Sequence, residues 1–371
     1  MSLTPRENLL NVLRHKKTEW TPIIGHVDSY NRPSDNGLPA EISDAAKEHG
    51  WWSGHAAIAY SRLLGIDIAA WTDSPLKETR KLCSAEYTKN ERDTAKIVHT
   101  PKGDMREVVR TSEDGSTKYI VEHLIKDAKD LPKFAAWYED RNYELDKEKN
   151  EEVNKRAKEI GEDGILISAL SGTPLGMLIR VYAGPEAVSY LHADAPEALT
   201  DLFRVMESSH TKEFSFSAKS KIDAFLGMDD TSTTTQSLAM FQTYCVNYTN
   251  RIADLLHEKG KFYWHHSCGL IKDLLPLYRH TRMDAVHAFT EPNTGNVWIN
   301  EGHEILGTGI AIIAGLQLME NPLTNKHEAS IYIQKLFERI KPGQDILCLT
   351  PYQHLTMDEI RWIGAECKKY K

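Results

Sequence analysis

The residues best suited to chemistry lie in Trp264-His265-His266-Ser267-Cys268-Gly269, which closes a short apolar segment. In an extended strand, residues two apart share a face. His266 and Cys268 therefore project together, and His265 points the other way. A neutral imidazole beside a thiolate is a pair that Zn²⁺ takes readily. A buried free cysteine next to a hydrogen-bonded histidine gives the same spacing, so two ligands do not complete a site. Two residues offer themselves as a third. Cys348 ends the segment DILCL, and Glu291 opens Glu291-Pro292-Asn293 after DAVHAF. With Cys348 the set becomes His/Cys/Cys with one open position, the usual arrangement of a catalytic zinc. The alternative for Cys348 is a small core residue. For Glu291 it is a carboxylate that receives backbone N–H groups at a nearby helix start.

A second cluster is Gly227-Met228-Asp229-Asp230-Thr231, just after an apolar run. Adjacent carboxylates can split their proton affinities and so bind a polar ligand or position a proton. They also suit an ordinary turn closed by side-chain hydrogen bonds. Asp229 and Asp230 are candidate catalytic residues on this reading. His26, in GHVDSY, ends the first apolar segment and joins them, although a lone histidine also serves as a structural residue.

These side chains need a frame that brings segment ends together. Eight short apolar segments recur along the chain: Pro22 to Gly25, Ile66 to Ala70, Ile165 to Leu170, Ile222 to Leu226, Lys261 to His266, Asp284 to His287, Gly309 to Ala314 and Asp345 to Leu349. Helical patterns lie between them. Leu238, Phe241, Cys245, Tyr248, Ile252 and Leu255 form one such stripe. Thr4 with Glu7, Asn325 with Glu328 and Thr356 with Glu359 mark helix starts as capping boxes. Alternating β and α units favour a parallel sheet, and eight of them favour a closed (β/α)₈ TIM barrel. Such barrels carry their active sites at the C-terminal ends of the strands, where every candidate above falls. A doubly wound sheet is the competitor, disfavoured by the absence of a GxGxxG or GxxxxGK[ST] phosphate loop. Turns at Pro101-Lys102-Gly103 and Glu113-Asp114-Gly115-Ser116 predict a small antiparallel β insertion near residues 95–124. The Lys- and Glu-rich run from Glu144 to Glu159 reads as a solvated helix face. No sharp tandem repeat is visible. The expectation is a single barrel domain spanning residues 1–371.

Composition agrees with an ordinary folded protein. Of the 371 residues, 41% are hydrophobic and 26% charged, enough to build a core. Acidic residues number 53 against 45 basic ones, a balance that disfavours a general nucleic-acid binder. The strongest apolar stretch, Gly309 to Leu316, is too short to span a bilayer, and the first residues lack a signal-peptide core. A cytoplasmic location is expected. The cysteines, Cys83, Cys245, Cys268, Cys348 and Cys367, are odd in number and widely spaced, poor material for disulfides.

The chain resembles the uroporphyrinogen decarboxylase superfamily, which holds the true decarboxylases and the zinc-dependent methyltransferases acting on corrinoid proteins. The resemblance begins at TPRENLLNVLRHKKTEWTPI. It is most specific from GMDDTSTTTQSLAMFQTYCVNYTNRIADLLHEKGKFYWHHSCG through DAVHAFTEPNTGNV to DILCLTPY. It implies a (β/α)₈ barrel, in agreement with the segment count. True decarboxylases carry an Arg-rich segment near the N-terminus whose guanidinium groups receive the substrate's many carboxylates. The corresponding stretch here, HVDSYNRPSDNG, keeps only Arg32. Several such donors are needed to offset eight carboxylates. The methyltransferase branch carries His-x-Cys followed by a distant cysteine, matched in type and order by His266, Cys268 and Cys348. The flank of Cys348 departs from that branch, which places its cysteine a few residues later, and some relatives use carboxylates at the metal, which keeps Glu291 in view. The resemblance thus implies a zinc methyltransferase moving a methyl group between a small molecule and a cobalamin held on a separate corrinoid protein. The alternatives are uroporphyrinogen decarboxylase and a barrel that binds a small molecule without catalysis.

Overall fold

The computed structural model describes residues 2–27, 38–51, 54–113, 115, 117–316, 325–350 and 355–370. Arg32, Asp114 and Ser116 lie outside them. Eight strands form one all-parallel sheet: Ile23–Gly25 (β1), Ile68–Trp71 (β2), Gly164–Ser171 (β3), Ala224–Thr231 (β4), Phe262–Ser267 (β5), Ala285–Phe289 (β6), Ala311–Gly315 (β7) and Asp345–Leu349 (β8). Each pairs with its sequence neighbour, β8 pairs with β1, and a bridge between Ile24 and Asp67 joins β1 to β2 and closes the ring. All eight expected segments are strands of this barrel.

Alternation along the strands makes two cores. Ile165 and Ile167, Ala224 and Leu226, Phe262 and Trp264, and Ile346 and Cys348 fill the interior. Leu166, Phe225, Tyr263 and Leu347 face outward and pack under the helices. Strands buried on both sides account for the near-continuous apolar runs in the sequence. The helix Pro5–Leu13 starts with the expected Thr4–Glu7 capping box. Leu9, Leu10, Val12 and Leu13 join the interior cluster, and Arg6 binds Asp223 and the Gly164 carbonyl. The Thr356–Glu359 box also forms, whereas Asn325 caps the Glu328 N–H without the reciprocal bond.

A repeat hidden in the sequence emerges at the N-terminal end of the barrel. An aspartate precedes or opens every second strand: Asp67, Asp223, Asp284 and Asp345. The first three accept the backbone N–H of the preceding odd strand, Ile23 at 2.9 Å, Leu166 at 3.0 Å and Tyr263 at 2.7 Å. Asp345 instead takes the N–H of Lys341 at 2.6 Å. Each carboxylate also meets a side-chain donor: Trp20, Arg6, His257 and His303 respectively. Three strand pairs are therefore stitched by an aspartate, and the fourth aspartate ties its own strand to the preceding loop and helix. The repeated unit is one aspartate at the start of every second strand, too short to register as a tandem repeat.

The β insertion is larger than expected. Four antiparallel strands, Ser84–Lys89, Asp93–His99, Met105–Thr111 and Lys118–Glu122, form the meander, and Leu76–Thr79 pairs with Asn142–Leu145 in a separate two-stranded sheet. The first of these, Ser84–Lys89, is largely exposed, and its alternation of Cys83, Ala85 and Tyr87 with polar residues escaped the sequence reading. The charged run folds as the helix Lys147–Ile160, mostly solvated, but Val153, Ile160 and Arg156 are buried. The stripe from Leu238 to Leu255 is split at Cys245 into the helices Leu238–Tyr244 and Val246–His257. Among the described residues, no helix is long and apolar enough to cross a membrane.

Candidate metal centre at the barrel mouth

β5 delivers His266 and Cys268 to the C-terminal mouth, as the two-residue periodicity requires. Trp264 and His266 point inward. His265 points outward and is fully buried between Phe241 and Tyr278. Gly269, at φ +81°, turns the chain immediately after Cys268 in a conformation that other residues adopt at a cost.

β4 supplies the third partner through a bulge. Gly227 pairs with His265 and Thr231 with Ser267, so four residues of β4 stand against two of β5. Asp230 takes φ +51° inside this bulge. Bulges re-aim side chains beside active sites, and here Asp230 Oδ1 comes to 3.0 Å from His266 Nε2. β6 carries a similar irregularity, with Ala288 at φ +62° between His287 and Phe289. The two strands flanking β5 thus both depart from regular pairing beside its end.

Among the described residues, Asp230, His266 and Cys268 form one group whose ligand atoms all lie within 4.8 Å of one another. Nitrogen, sulfur and oxygen donors of this kind, half-buried and converging, match the ligands that Zn²⁺ accepts. The expected third ligands stand elsewhere. Cys348 is outside the group, buried in the barrel interior against Ile24, where burial pushes its thiol up to about 11. Glu291 is buried and committed: Arg339 Nε and Nη2 donate to its two oxygens at 2.7 and 2.5 Å, and the Ile299 N–H adds a third bond at 3.1 Å. Glu291 thus lies outside the group, and both its oxygens serve an ion pair with the partly buried Arg339. The backbone-receiving alternative is the one observed, with Arg339 added.

The two carboxylates of the Asp229-Asp230 pair separate. The hydrogen bond to His266 holds Asp230 below its ordinary range. For His266, burial opposes the charge, but the bonds to Asp230 and Cys268 outweigh it and lift the ring to about 9. Asp229 faces the opposite side, behind the barrel wall, with no exposed side-chain surface. Its Oδ1 accepts the Thr173 N–H at 2.7 Å and hydroxyl at 2.6 Å, and its Oδ2 lies 3.2 Å from His265 Nδ1. Burial raises Asp229 to about 7, against the bonds from Thr173, and lowers His265 to about 3. A carboxylic proton shared across that 3.2 Å gap would satisfy two atoms that have no other hydrogen-bond partner among the described residues. The expectation of split proton affinities holds, but Asp229 does not border the mouth.

A cavity of about 340 Å³ opens beside the cluster, lined by His26, Trp71, Leu226, Met228, His266 and His287 together with Thr72, Asp73, Ser74 and Ala169. His26 therefore borders the cavity, and its Nδ1 accepts the Trp71 indole N–H at 2.7 Å. Trp71, Arg180 and His287 escaped the sequence reading. His287 follows Ala285 by two residues at a strand end, so the rule that selected His266 applies to it too. Arg180 sits on the five-residue π-helical turn Leu178–Tyr182 and brings its Nε to 3.7 Å from Asp230 Oδ2. Such wide turns occur at functional sites and have no simple periodic signature.

The chain is similar over its whole length to a methyltransferase from Methanosarcina mazei, with a TM-score of 0.63, 11% identity, and coverage of 100% of this chain and 99% of that one. It also aligns with a B12-independent methionine synthase from a Shewanella species, in complex with selenomethionine, over 94% of this chain and 96% of that one, at TM-score 0.49 and 12% identity. At such identity the first likeness shows the fold, a barrel of the same kind with the same span, and the second carries no argument. No family model matches the sequence, and no curated protein matches it.

Proposed function

We propose that this chain is a zinc-dependent methyltransferase that moves a methyl group between a small molecule and a corrinoid held on a separate protein. The observation that carries the reading is the convergence of Asp230, His266 and Cys268 at the mouth, beside a cavity sized for a small molecule. The resemblance of the His266-x-Cys268 segment to the methyltransferase branch supports it. In this reading Asp230 takes the place that Cys348 or Glu291 was expected to hold.

His266 Nε2, Cys268 Sγ and Asp230 would hold the metal. A bound Zn²⁺ supplies the acidity that keeps a coordinated thiol or water deprotonated at neutral pH. Arg180 restrains the Asp230 carboxylate from the side away from His266. Leu226, Met228, Ala169 and Trp71 form the apolar wall against which a methyl group packs without water. Thr72, Asp73 and Ser74, just beyond the end of β2, offer polar contacts for the rest of the molecule. The corrinoid protein would dock over this mouth.

Elemental analysis of the purified chain tests the reading, with one zinc per chain expected. His266→Ala and Cys268→Ser are expected to lose zinc and methyl transfer together. Full methyl transfer by a zinc-free variant would sink the proposal. The decarboxylase alternative gains nothing from the cavity, because among the described lining residues none is Arg or Lys, while the substrate carries many carboxylates. Incubation with uroporphyrinogen gives the opposite outcome if that alternative is right: CO₂ release without zinc.

A further inference from the structure

We propose that His287 is a positioning residue for His266, accepting the proton of its Nδ1 so that Nε2 is left as the donor atom facing Asp230 and Cys268. The inference rests on the metal-site reading above and names a residue outside the ligand set. His266 Nδ1 and His287 Nδ1 are 3.0 Å apart. A nitrogen–nitrogen hydrogen bond at that distance needs one N–H and one lone pair. His266 Nε2 is the nitrogen next to Asp230. If Nε2 binds a cation, a neutral His266 carries its proton on Nδ1, and His287 must offer the lone pair. The remaining proton of a neutral His287 is then on Nε2.

Two ring contacts and the local backbone keep His287 in that role. Its ring stacks on Trp264 at 6.1 Å and an interplanar angle of 15°. Trp71 meets it edge-on at 5.9 Å. The left-handed Ala288 and the break in pairing with β7 set the direction of the strand end that carries it. It is half-buried against these rings at the cavity wall, and its Nδ1 faces His266. Metal-bound histidines almost always give their second N–H to an acceptor, usually a carboxylate or carbonyl, and that acceptor fixes the tautomer. Here an imidazole fills the place.

Asn and Leu have similar shapes, and the Asn Oδ1 stands close to where the His Nδ1 was. The purified full chain, with His287→Asn and His287→Leu variants, is titrated with Co²⁺ in competition with a chelator, and the Cys268 thiolate-to-cobalt absorption band is followed. The Leu variant is expected to bind cobalt about 10–100-fold more weakly, and the Asn variant within a few-fold of the parent. A parent chain that takes up no cobalt overturns the metal-site reading, and this inference with it. A parent that binds, with a Leu variant equally tight or an Asn variant as weak as Leu, overturns the positioning role alone. Nitrogen-15 spectra of the zinc-loaded parent decide the matter without a variant. A proton on His266 Nδ1 with coupling across to His287 is expected, and an unprotonated His266 Nδ1 overturns the proposal.

Discussion

Asp230 Oδ1 lies 3.0 Å from His266 Nε2 across two neighbouring strands, while Asp229, one residue earlier, is sealed behind the same wall against His265. One peptide unit therefore separates a carboxylate at the mouth from one in the packed shell. Strand alternation sends the two to opposite sides, and the bulge with its left-handed Asp230 brings the second to the end of β5.

Asp230→Asn should bind Zn²⁺ at least about tenfold more weakly than the parent, because it loses the anionic oxygen of a three-ligand set. Asp229→Asn should bind within a few-fold of the parent. Chelator competition measures both. Equal losses in the two variants would show that the mouth carboxylate has no special role.

Asp229 also makes a pH-dependent contribution to stability. Burial raises it to about 7 in the fold, so the folded chain holds a proton that the unfolded chain releases near 4. Between those values the native state binds more protons, and this group's contribution to stability falls as pH rises. His265, lowered to about 3, contributes the opposite slope between about 3 and 6.5. Asp229→Asn removes only the first slope. Its stability relative to the parent should therefore rise with pH from about 4 to 7, by up to about 1.4 kcal/mol per pH unit. Urea unfolding at a series of pH values measures this, and a flat difference would refute it.

Glu291→Gln leaves Arg339 without its buried counter-charge. A broken pair costs about 3–5 kcal/mol when the charge left behind is fully buried, and less here because Arg339 is partly exposed. The variant should unfold at clearly lower urea while its zinc content stays at the parent level. Loss of zinc without loss of stability would return Glu291 to the metal.

Asp284→Ala removes the acceptor for the buried Tyr263 N–H and the partner of His257. An orphaned buried donor costs about 1–3 kcal/mol. Because this aspartate sits at the N-terminal end of the barrel, metal affinity should not change. A shift in affinity without a shift in unfolding midpoint would contradict the division between a stitched base and a reactive mouth.

Much of the architecture was legible in the residues. Apolar segments alternating with helical stripes placed all eight strands, and the two-residue rule sent His266 and Cys268 together to the mouth. Ser84–Lys89 was missed because its alternation rests on one alanine and one tyrosine between polar residues, a weak signal in a strand open to solvent. The aspartate at every second strand was visible as letters, but its meaning depends on a neighbouring strand's N–H, which no linear pattern records.

The sequence by itself determined the strand count, the closed parallel barrel and which side of β5 each histidine faces, since these follow from local periodicity and from burial on both faces of each strand. Only the tertiary structure decided which acidic or sulfur group joins His266 and Cys268. Glu291 is held by Arg339, 48 residues away. Cys348 is turned into the packed interior, and Asp230 is brought in by a two-residue excess of β4 over β5. Ion pairing, packing and bulge geometry couple residues distant in the chain, and distances between such residues are not written in local spacing.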